Sequence, residues 1–191
     1  MKKRVIGSLV SILAVVASPI AAQDAQVWDT IGNWTIAVDT TLDNSCFALT
    51  VFEGDTYLRL GLNVTEAMLP YYMILGNPSW RSIEEGKDYE LTLQFDNAPA
   101  WTATAVGTYM GDLPSLMLQA AEFDFIDEFA RKHTLQITFM GRRVDSLSLS
   151  GSARATQELA TCQIAMDRTG LPSTDPFETR PASAPKDPFA I

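Results

Sequence analysis

The sequence predicts a mainly β protein, a β-sandwich of about eight antiparallel strands with two helices late in the domain. Three observations lead to this prediction. Several short runs alternate apolar and polar residues with a period of two, as half-buried strands do. Clusters of Gly, Pro, Asn and Asp separate these runs and indicate turns. Helical spacing of apolar residues is confined to two segments, both in the second half of the chain.

The first three strands are predicted from runs at residues 33–39, 46–52 and 58–64. In each run the apolar side chains fall on one face, because neighbouring residues of a strand point to opposite faces. The residues that share a face are Trp34, Ile36 and Val38, then Phe47, Leu49 and Val51, then Leu58, Leu60, Leu62 and Val64. A turn at Glu53-Gly54-Asp55 separates the second run from the third.

The later strands follow the same rule. The cleanest alternation lies at residues 89–96, and residues 101–109 and 115–121 are further candidates. The alternating apolar residues are Tyr89, Leu91, Leu93 and Phe95 in the first of these, and Leu135, Ile137 and Phe139 in a later strand. A turn at Gly141-Arg142 predicts a return strand that holds Leu147 and Leu149.

Two helices are predicted. The first begins at Glu122 and ends at His133, with acidic residues early and basic residues last, which suits the helix dipole. The second begins at Ser152 and ends at Met166. Its apolar residues form one stripe at helical spacing: Ala155, Leu159, Cys162 and Met166.

The N-terminus has the three-part layout of a signal peptide, residues 1–22. Lys2, Lys3 and Arg4 precede a short apolar run, and small residues ending in Ala22 follow it. The alternative is a membrane anchor, but the apolar run is shorter than the roughly 20 residues that span a bilayer core. We therefore expect cleavage after Ala22, a mature chain that is not an integral membrane protein, and a periplasmic or secreted location in a bacterium.

The charge of the chain excludes one class of partner. The formal net charge is −9, and loss of the three basic residues of the signal peptide makes it −12. The densest basic groups are the pairs Arg131-Lys132 and Arg142-Arg143. Because an acidic surface repels polyanions, we do not expect nucleic acid as a partner.

Cys46 and Cys162 are the only cysteines of the chain. An even count in an oxidising compartment predicts a disulfide between them, and the alternative is two separate buried thiols. With the single His133 they would supply three ligands, one short of the four that a structural zinc site needs. No metal or cofactor is predicted.

Residues 23–166 are expected to form one folded domain, and residues 167–191 a disordered tail. The tail is rich in Pro and Ser and shows no periodicity, so it cannot bury enough apolar surface to offset its ordering entropy. The motif Asp-Pro-Phe occurs twice in it, at residues 175–177 and 187–189. The repeat either docks a partner twice or is a chance recurrence in a Pro-rich composition.

No catalytic constellation stands out. His133 fits a cation at a helix C-terminus better than the base of a Ser-His-Asp triad, because no Gly-x-Ser-x-Gly elbow frames Ser148, Ser150 or Ser152. The carboxylates of residues 84–85 and of the first helix read as solvated charge. The aromatics Trp28, Trp34, Trp80 and Trp101 could line a ligand groove, but core packing is the simpler assignment. We therefore predict that the protein is not an enzyme.

Parts of the chain resemble a known family. The run Gly-Asn-Trp-Thr-Ile-Ala-Val-Asp at residues 32–39, with Ser45-Cys46-Phe47 soon after it, is similar to the start of the invasion-associated-locus-B-like periplasmic proteins. Residues 126–139 resemble their helix followed by a strand, and residues 147–162 their closing strand and Ala-rich helix. The resemblance covers the two ends of the domain and leaves out residues 57–118. It implies an exported β-sandwich without a known catalytic site and supplies no functional residues.

The expected function is that of a non-catalytic exported protein, a binding or envelope-associated protein whose partner is another envelope protein. The alternative is a periplasmic carrier that holds a small apolar ligand or lipid inside the sandwich. The two hypotheses predict different surfaces. A carrier would have a deep apolar pocket, whereas a protein-binding module would have an exposed apolar patch.

Overall fold

The computed structural model describes residues 25–64, 71–120 and 123–169. The predicted signal peptide lies outside these residues, and so do residues 170–191 of the predicted tail. Within these residues the chain forms ten strands and two helices, one helix between the eighth and ninth strands and the other after the tenth. In chain order they are β1 (Ala25–Ile31), β2 (Trp34–Asp39), β3 (Ser45–Val51), β4 (Tyr57–Leu62), β5 (Tyr71–Gly76), β6 (Asp88–Phe95), β7 (Trp101–Met110), β8 (Leu113–Ala120), α1 (Phe123–Arg131), β9 (Thr134–Phe139), β10 (Arg142–Ser148) and α2 (Ser152–Thr169).

All ten strands belong to one antiparallel sheet, in the order β1-β2-β3-β4-β5-β8-β7-β6-β9-β10. The protein is therefore mainly β with two late helices, as predicted, but it has one ten-stranded sheet where the sequence predicted a sandwich of about eight strands. Three pairings between strands join the two halves of the chain into this one sheet. β5 pairs with β8, and β6 pairs with both β7 and β9. On the apolar face of the sheet, α2 packs on β1, β2 and β3, and the Phe125 ring of α1 contacts Phe95 of β6 and Trp101 of β7.

One face of the sheet forms the core. Buried side chains from all ten strands and from both helices make a single cluster on this face. Trp34 is 2% exposed; its indole nitrogen donates a hydrogen bond of 3.0 Å to the carbonyl of Ser150, and its ring meets Phe129 of α1 edge to face at 5.9 Å. Each large apolar side chain buried in this way stabilises the fold by about 1.5–3 kcal/mol. The helices are thus part of the core, and α2 packs on β1, β2 and β3.

The first helix is shorter than predicted. It ends at Arg131, two residues before His133, and Glu122 lies outside the described residues. The end is set by Asp96, whose carboxylate accepts hydrogen bonds from the backbone N–H groups of His133 and Thr134 at 2.8–3.2 Å. These bonds turn the chain out of the helix and into β9. His133 therefore follows the helix and does not belong to its last turn.

The second helix is longer than predicted and ends at Thr169 rather than at Met166. The first three residues of the predicted tail are thus helical. Asp167 accepts a hydrogen bond of 3.0 Å from the amide of Gln163 one turn earlier, and such pairs stabilise helices. The sequence supplies Gly170 and Pro172 just beyond, residue types that commonly follow a helix end. No helix of the described residues is long and apolar enough to cross a membrane.

A disulfide joins Cys46 of β3 to Cys162 of α2, with their Cα atoms 6.1 Å apart. It closes a loop across 116 residues of sequence. Next to it, the backbone N–H of Cys46 donates a hydrogen bond of 2.8 Å to the side-chain oxygen of Gln163. Both residues are buried, so α2 satisfies a polar group that the β3 backbone would otherwise leave unpaired.

The edge strand β10 is fastened to the start of β4 by three polar residues, which we call the Thr56 clasp: Thr56, Asn77 and Asp145. The hydroxyl of Thr56 donates to the carboxylate of Asp145. The Asn77 amide donates to the Thr56 hydroxyl at 2.9 Å and to the carbonyl of Gly54 at 2.7 Å. Thr56 and Asn77 are buried. Since β4 and β10 are distant in strand order, the sheet curves enough to bring its far edge back to its middle.

Candidate functional site

The second face of the sheet points away from the helices, and we call it the outer face. Its side chains alternate with the core residues along β2 to β5 and β8. Paired residues of neighbouring strands form two rows across it. One row is Ala37, Phe47, Gly61, Tyr72 and Gln119, and the other is Thr35, Leu49, Arg59, Ile74 and Met117.

Arg59 is the centre of this face. Its guanidinium carbon lies 3.8 Å from the ring centre of Phe47 and 5.4 Å from that of Tyr72. Its Nη2 forms a salt bridge of 2.5 Å with Asp39, and its Nε donates a hydrogen bond of 2.8 Å to the hydroxyl of Tyr72. We call these four residues the Arg59 cluster. Aromatic faces attract a guanidinium, and partial burial strengthens that attraction.

Gly61 makes room for the cluster. A side-chain Cβ at this position would stand 2.2 Å from the Tyr72 ring, closer than real atoms approach. Gly61 pairs with Tyr72 across the β4–β5 ladder, so the ring lies over the glycine and reaches Arg59 on the same strand. A larger residue would push the ring away.

Burial and hydrogen bonding shift two pKa values in the cluster. Burial alone raises the pKa of Asp39, but hydrogen bonds from Arg59 and Thr41 outweigh it, and the pKa lies below the ordinary 3.8. Burial raises the pKa of the Tyr72 hydroxyl, and the positive charge of Arg59 offsets only part of that rise. At neutral pH the cluster therefore holds an ionised carboxylate, a guanidinium and a neutral phenol.

A turn after β2 fixes the carboxylate of Asp39. The carboxylate accepts hydrogen bonds from the backbone N–H of Thr41 at 2.9 Å and from the Thr41 hydroxyl at 2.6 Å. Asp43 and Asn44 follow with φ angles of 47° and 57°, a left-handed conformation that Asp and Asn tolerate better than most residues. The chain can then return tightly into β3.

Two open clefts lie side by side on the outer face and share Arg59. The apolar cleft has a volume of about 670 Å³. It is lined by Ala25, Val27, Thr35, Ala37, Phe47, Leu49, Tyr57, Arg59, Pro78, Met110, Gly111 and Leu113. The polar cleft has a volume of about 410 Å³. It is lined by Asp39, Thr41, Leu42, Asp43, Ser45, Arg59, Leu62, Asn63, Tyr72, Ile74, Met117 and Gln119.

The residues weighed for chemistry in the sequence lie apart from these clefts. The backbone of His133 binds Asp96 at the end of β6. The helix acids have structural contacts: Asp127 pairs with Arg131 at 2.5 Å, and Glu128 accepts a hydrogen bond of 3.1 Å from the indole of Trp101. In residues 25–64, 71–120 and 123–169, no three His, Cys, Asp or Glu side chains are grouped in a way that could hold a metal ion.

The tryptophans divide between core and surface. Trp34 lies in the core, and Trp80 and Trp101 pack against it from partly buried positions. Trp28 is 39% exposed and donates a hydrogen bond of 2.9 Å from its indole to Glu158 of α2. None of the four lines the apolar or the polar cleft. The core assignment made from the sequence therefore describes three of them.

Sequence reasoning did not find the Arg59 cluster. Phe47, Leu49 and Val51 were expected to share a face, and they do, but that face is the outer one. The core side of β3 is formed by smaller residues, Cys46 and Ala48. The available signal was Arg59 two residues before Gly61 in an otherwise apolar strand, because a glycine inside a strand often marks a place where another group approaches the backbone closely.

The fold matches that of a solved protein. The structure is similar to the crystal structure of invasion associated protein B from Bartonella henselae, with a TM-score of 0.52 and 15% sequence identity. The similar region covers 71% of this chain and 97% of that one. No protein-family model and no curated protein matches the chain. The resemblance expected from the ends of the domain is confirmed for the fold.

The disulfide indicates an extracytoplasmic protein. Thiols in the cytosol of most organisms are kept reduced, whereas structural disulfides persist in oxidising compartments. Cys46 and Cys162 are both buried and account for all cysteines of the chain. The cross-link between β3 and α2 is therefore a stable part of the fold.

Proposed function

We propose that this protein is a non-catalytic periplasmic binding protein that docks another envelope protein on the outer face of its sheet. The observation that carries the proposal is the pair of open clefts that meet at Arg59. Protein-binding surfaces combine exposed apolar residues with a few fixed polar groups, and arginine and aromatic residues dominate their energetics. The apolar cleft supplies the first feature, and the Arg59 cluster supplies the second.

The cluster is already rigid before a partner arrives. Arg59 is held by Asp39 and Tyr72 and stacked on Phe47, so little side-chain entropy remains to be lost on binding. Leu49 and Tyr57 are half-buried beside it and offer apolar surface. A partner side chain that packs there would exclude water from a preformed surface.

A carrier of a small apolar ligand is the second candidate, and one observation favours it. The apolar cleft has a volume of about 670 Å³, within the range of small-molecule sites. Against it stands the position of the cleft. The space between sheet and helices is filled by core side chains, while the cleft is on the outside and includes Val27, which is 68% exposed. This geometry suits a protein surface better than an enclosed ligand.

The test is native purification of the tagged full chain from the periplasm, followed by mass spectrometry of bound proteins and bound small molecules. We expect one envelope protein to be enriched, and Leu49→Lys to abolish the enrichment by placing a charge in the apolar cleft. The matched control is Ile164→Lys, which changes a 49% exposed residue of α2 on the helix side. Recovery of a stoichiometric lipid without a protein would make the carrier the better hypothesis.

The same material tests the export step. The intact mass of the purified protein should correspond to a chain that begins at Gln23, because the small residues before it suit signal peptidase. A mass that includes residues 1–22 would mean a membrane anchor and would contradict the proposed periplasmic location.

A further inference from the structure

The two edges of the sheet are protected to different degrees. In the part of the chain that the structure describes, β1 pairs only with β2, and β10 only with β9. Charged residues keep natural edge strands from pairing with other chains. β10 carries three of them, Arg142, Arg143 and Asp145, and the Thr56 clasp holds it down. β1 carries one, Asp29. Both edges contain a register shift, so a bulge does not distinguish them.

The less protected edge is continuous with the apolar cleft. Six of the seven residues of β1 are exposed, and only Ile31 is buried. Ala25 and Val27 line the apolar cleft, and Trp28 on the other face is held by Glu158 of α2. In a strand added beside β1, every second side chain would point to the same face of the sheet as Val27, which is the face that carries the apolar cleft.

The charges around this edge favour a basic partner. Asp29 lies in β1, and Glu158 binds the neighbouring Trp28. Arg59, the one cation among the residues that line the two clefts, is already paired with Asp39. The whole chain has a net charge of −9, so a second copy of it would be repelled. Residues 170–191 contain three acidic and two basic residues and have no positive excess to offer.

We propose that β1 is the site where an extended, basic segment of the partner protein adds an eleventh strand to the sheet. Backbone hydrogen bonds to the edge of β1 provide affinity in this mode, and alternate side chains provide specificity. The backbone N–H of Thr30, which donates to the Asp29 carboxylate at 2.7 Å, changes its partner when the segment binds. Apolar side chains of the segment lie in the apolar cleft beside Val27. The Lys or Arg side chains of the segment face Asp29 and Glu158. The inference rests on the proposed function and adds the mode of binding and the chemistry of the partner.

The test titrates the full exported chain with a synthetic peptide of about eight residues that alternates Val and Lys, long enough to pair with the whole of β1. Binding is followed by backbone amide shifts in NMR spectra. We expect shifts at residues 25–31, loss of binding when alternate peptide nitrogens are methylated, and loss when Glu replaces Lys in the peptide. Methylation removes backbone donors without changing side chains, so it separates strand pairing from simple apolar adsorption.

The variant Val27→Lys should weaken binding roughly tenfold, equal to about 1.4 kcal/mol, because it places a charge at the edge beside the cleft. Its matched control is Met140→Lys, at an 82% exposed residue between β9 and β10, which should bind as the unchanged chain does. Both positions are on the surface, and circular dichroism confirms that each variant is folded.

Four results would overturn the inference. Equal binding of the methylated and unmethylated peptides would exclude strand addition. Light scattering that finds a dimer, broken by Val27→Lys, would assign the edge to a second copy of the chain. Stronger peptide binding after removal of residues 170–191 would assign it to the chain's own tail. If the native purification recovers a protein whose binding is abolished by Leu49→Lys but is unaffected by Val27→Lys, the proposed function stands and the edge inference fails.

Discussion

At the scale of single residues, the outer face depends on one buried ion pair. Asp39 and Arg59 have side chains only 11% and 17% exposed, so each needs the other to remain charged there. The ion pair also fixes the position of two neighbouring rings, because the Arg59 guanidinium donates a hydrogen bond to the Tyr72 hydroxyl and stacks on Phe47. Loss of the carboxylate would free the guanidinium to move and would change the shape of both clefts.

The variant Asp39→Asn should lower the free energy of unfolding by about 1.5–3 kcal/mol at neutral pH, the range for hydrogen bonds to charged groups. The pKa of Asp39 is lower in the folded protein than the ordinary 3.8, so its stabilisation is fully present above that value and is lost as the pH falls through the folded pKa. Urea unfolding between pH 7 and pH 2.5 measures this. The difference between the unchanged chain and the variant should be constant above about pH 5 and should shrink below pH 3.8.

The control for this experiment is Asp112→Asn, which removes an exposed carboxylate in the turn after β7. It should leave stability unchanged within about 0.5 kcal/mol, as surface substitutions usually do. A difference for Asp39→Asn that stays constant down to pH 2.5 would mean that the Asp39 charge contributes nothing to the fold.

At the scale of elements, strands were predicted best from the sequence where one face of the strand is buried and the other is exposed to solvent. In β6, Tyr89, Leu91, Leu93 and Phe95 are buried and the residues between them are more exposed, as the alternation indicates. β1 and β5 were missed for opposite reasons. β1 is an edge with almost no buried face, and β5 is apolar on both faces because Tyr72 packs in the Arg59 cluster. Neither produces a period of two.

Alternation also cannot say which face of a strand meets the core. On β3 both faces are apolar, and the larger side chains, Phe47 and Leu49, are on the outside. That choice is made by α2, which occupies the inner face and is bonded there through Cys162. The candidate site therefore could not be located from local sequence, because it depends on where a helix more than a hundred residues away is attached.

Replacement of both cysteines, Cys46→Ala with Cys162→Ala, should lower the free energy of unfolding by an amount on the order of 4 kcal/mol for so long a closed loop. Because the hydrogen bond between Cys46 and Gln163 is made by the backbone, it remains available to hold α2 in place. We therefore expect an unchanged far-ultraviolet circular dichroism spectrum and a lower midpoint of urea unfolding. The unchanged chain under reducing conditions is the matched comparison, and equal stability of all three samples would contradict the prediction.

At the scale of the whole molecule, the described contacts of the fold end with α2. Met166 is partly buried against the core. The side-chain amide of Gln163 donates a hydrogen bond to the Asp167 carboxylate, and its oxygen accepts one from the backbone N–H of Cys46. Thr169 is the last helical residue. The boundary between domain and tail is therefore better placed after Thr169 than after Met166.

Truncation after Thr169 should leave the melting temperature unchanged while it alters the set of proteins recovered in native purification. The prediction assumes that the repeated Asp-Pro-Phe motif contacts partners and not the domain. Truncation after Met166 is the matched variant; it also removes Asp167 and should cost about 1 kcal/mol, the value of one hydrogen bond. A drop of several degrees for the longer truncated chain would show that the tail is part of the fold.

The attachment of α2 to β1, β2 and β3 also has a consequence for how the chain is made. The first strands to be synthesised are those that the last described helix covers, and the cysteine that pairs with Cys46 arrives 116 residues later. Until then the inner face of β2, with Trp34 and Ile36, has no lasting cover. Such long-range contacts slow folding, because a large loop must close before they form. The N-terminal strands therefore cannot complete their packing until the C-terminal helix has been synthesised, and the fold forms only when the whole domain is available.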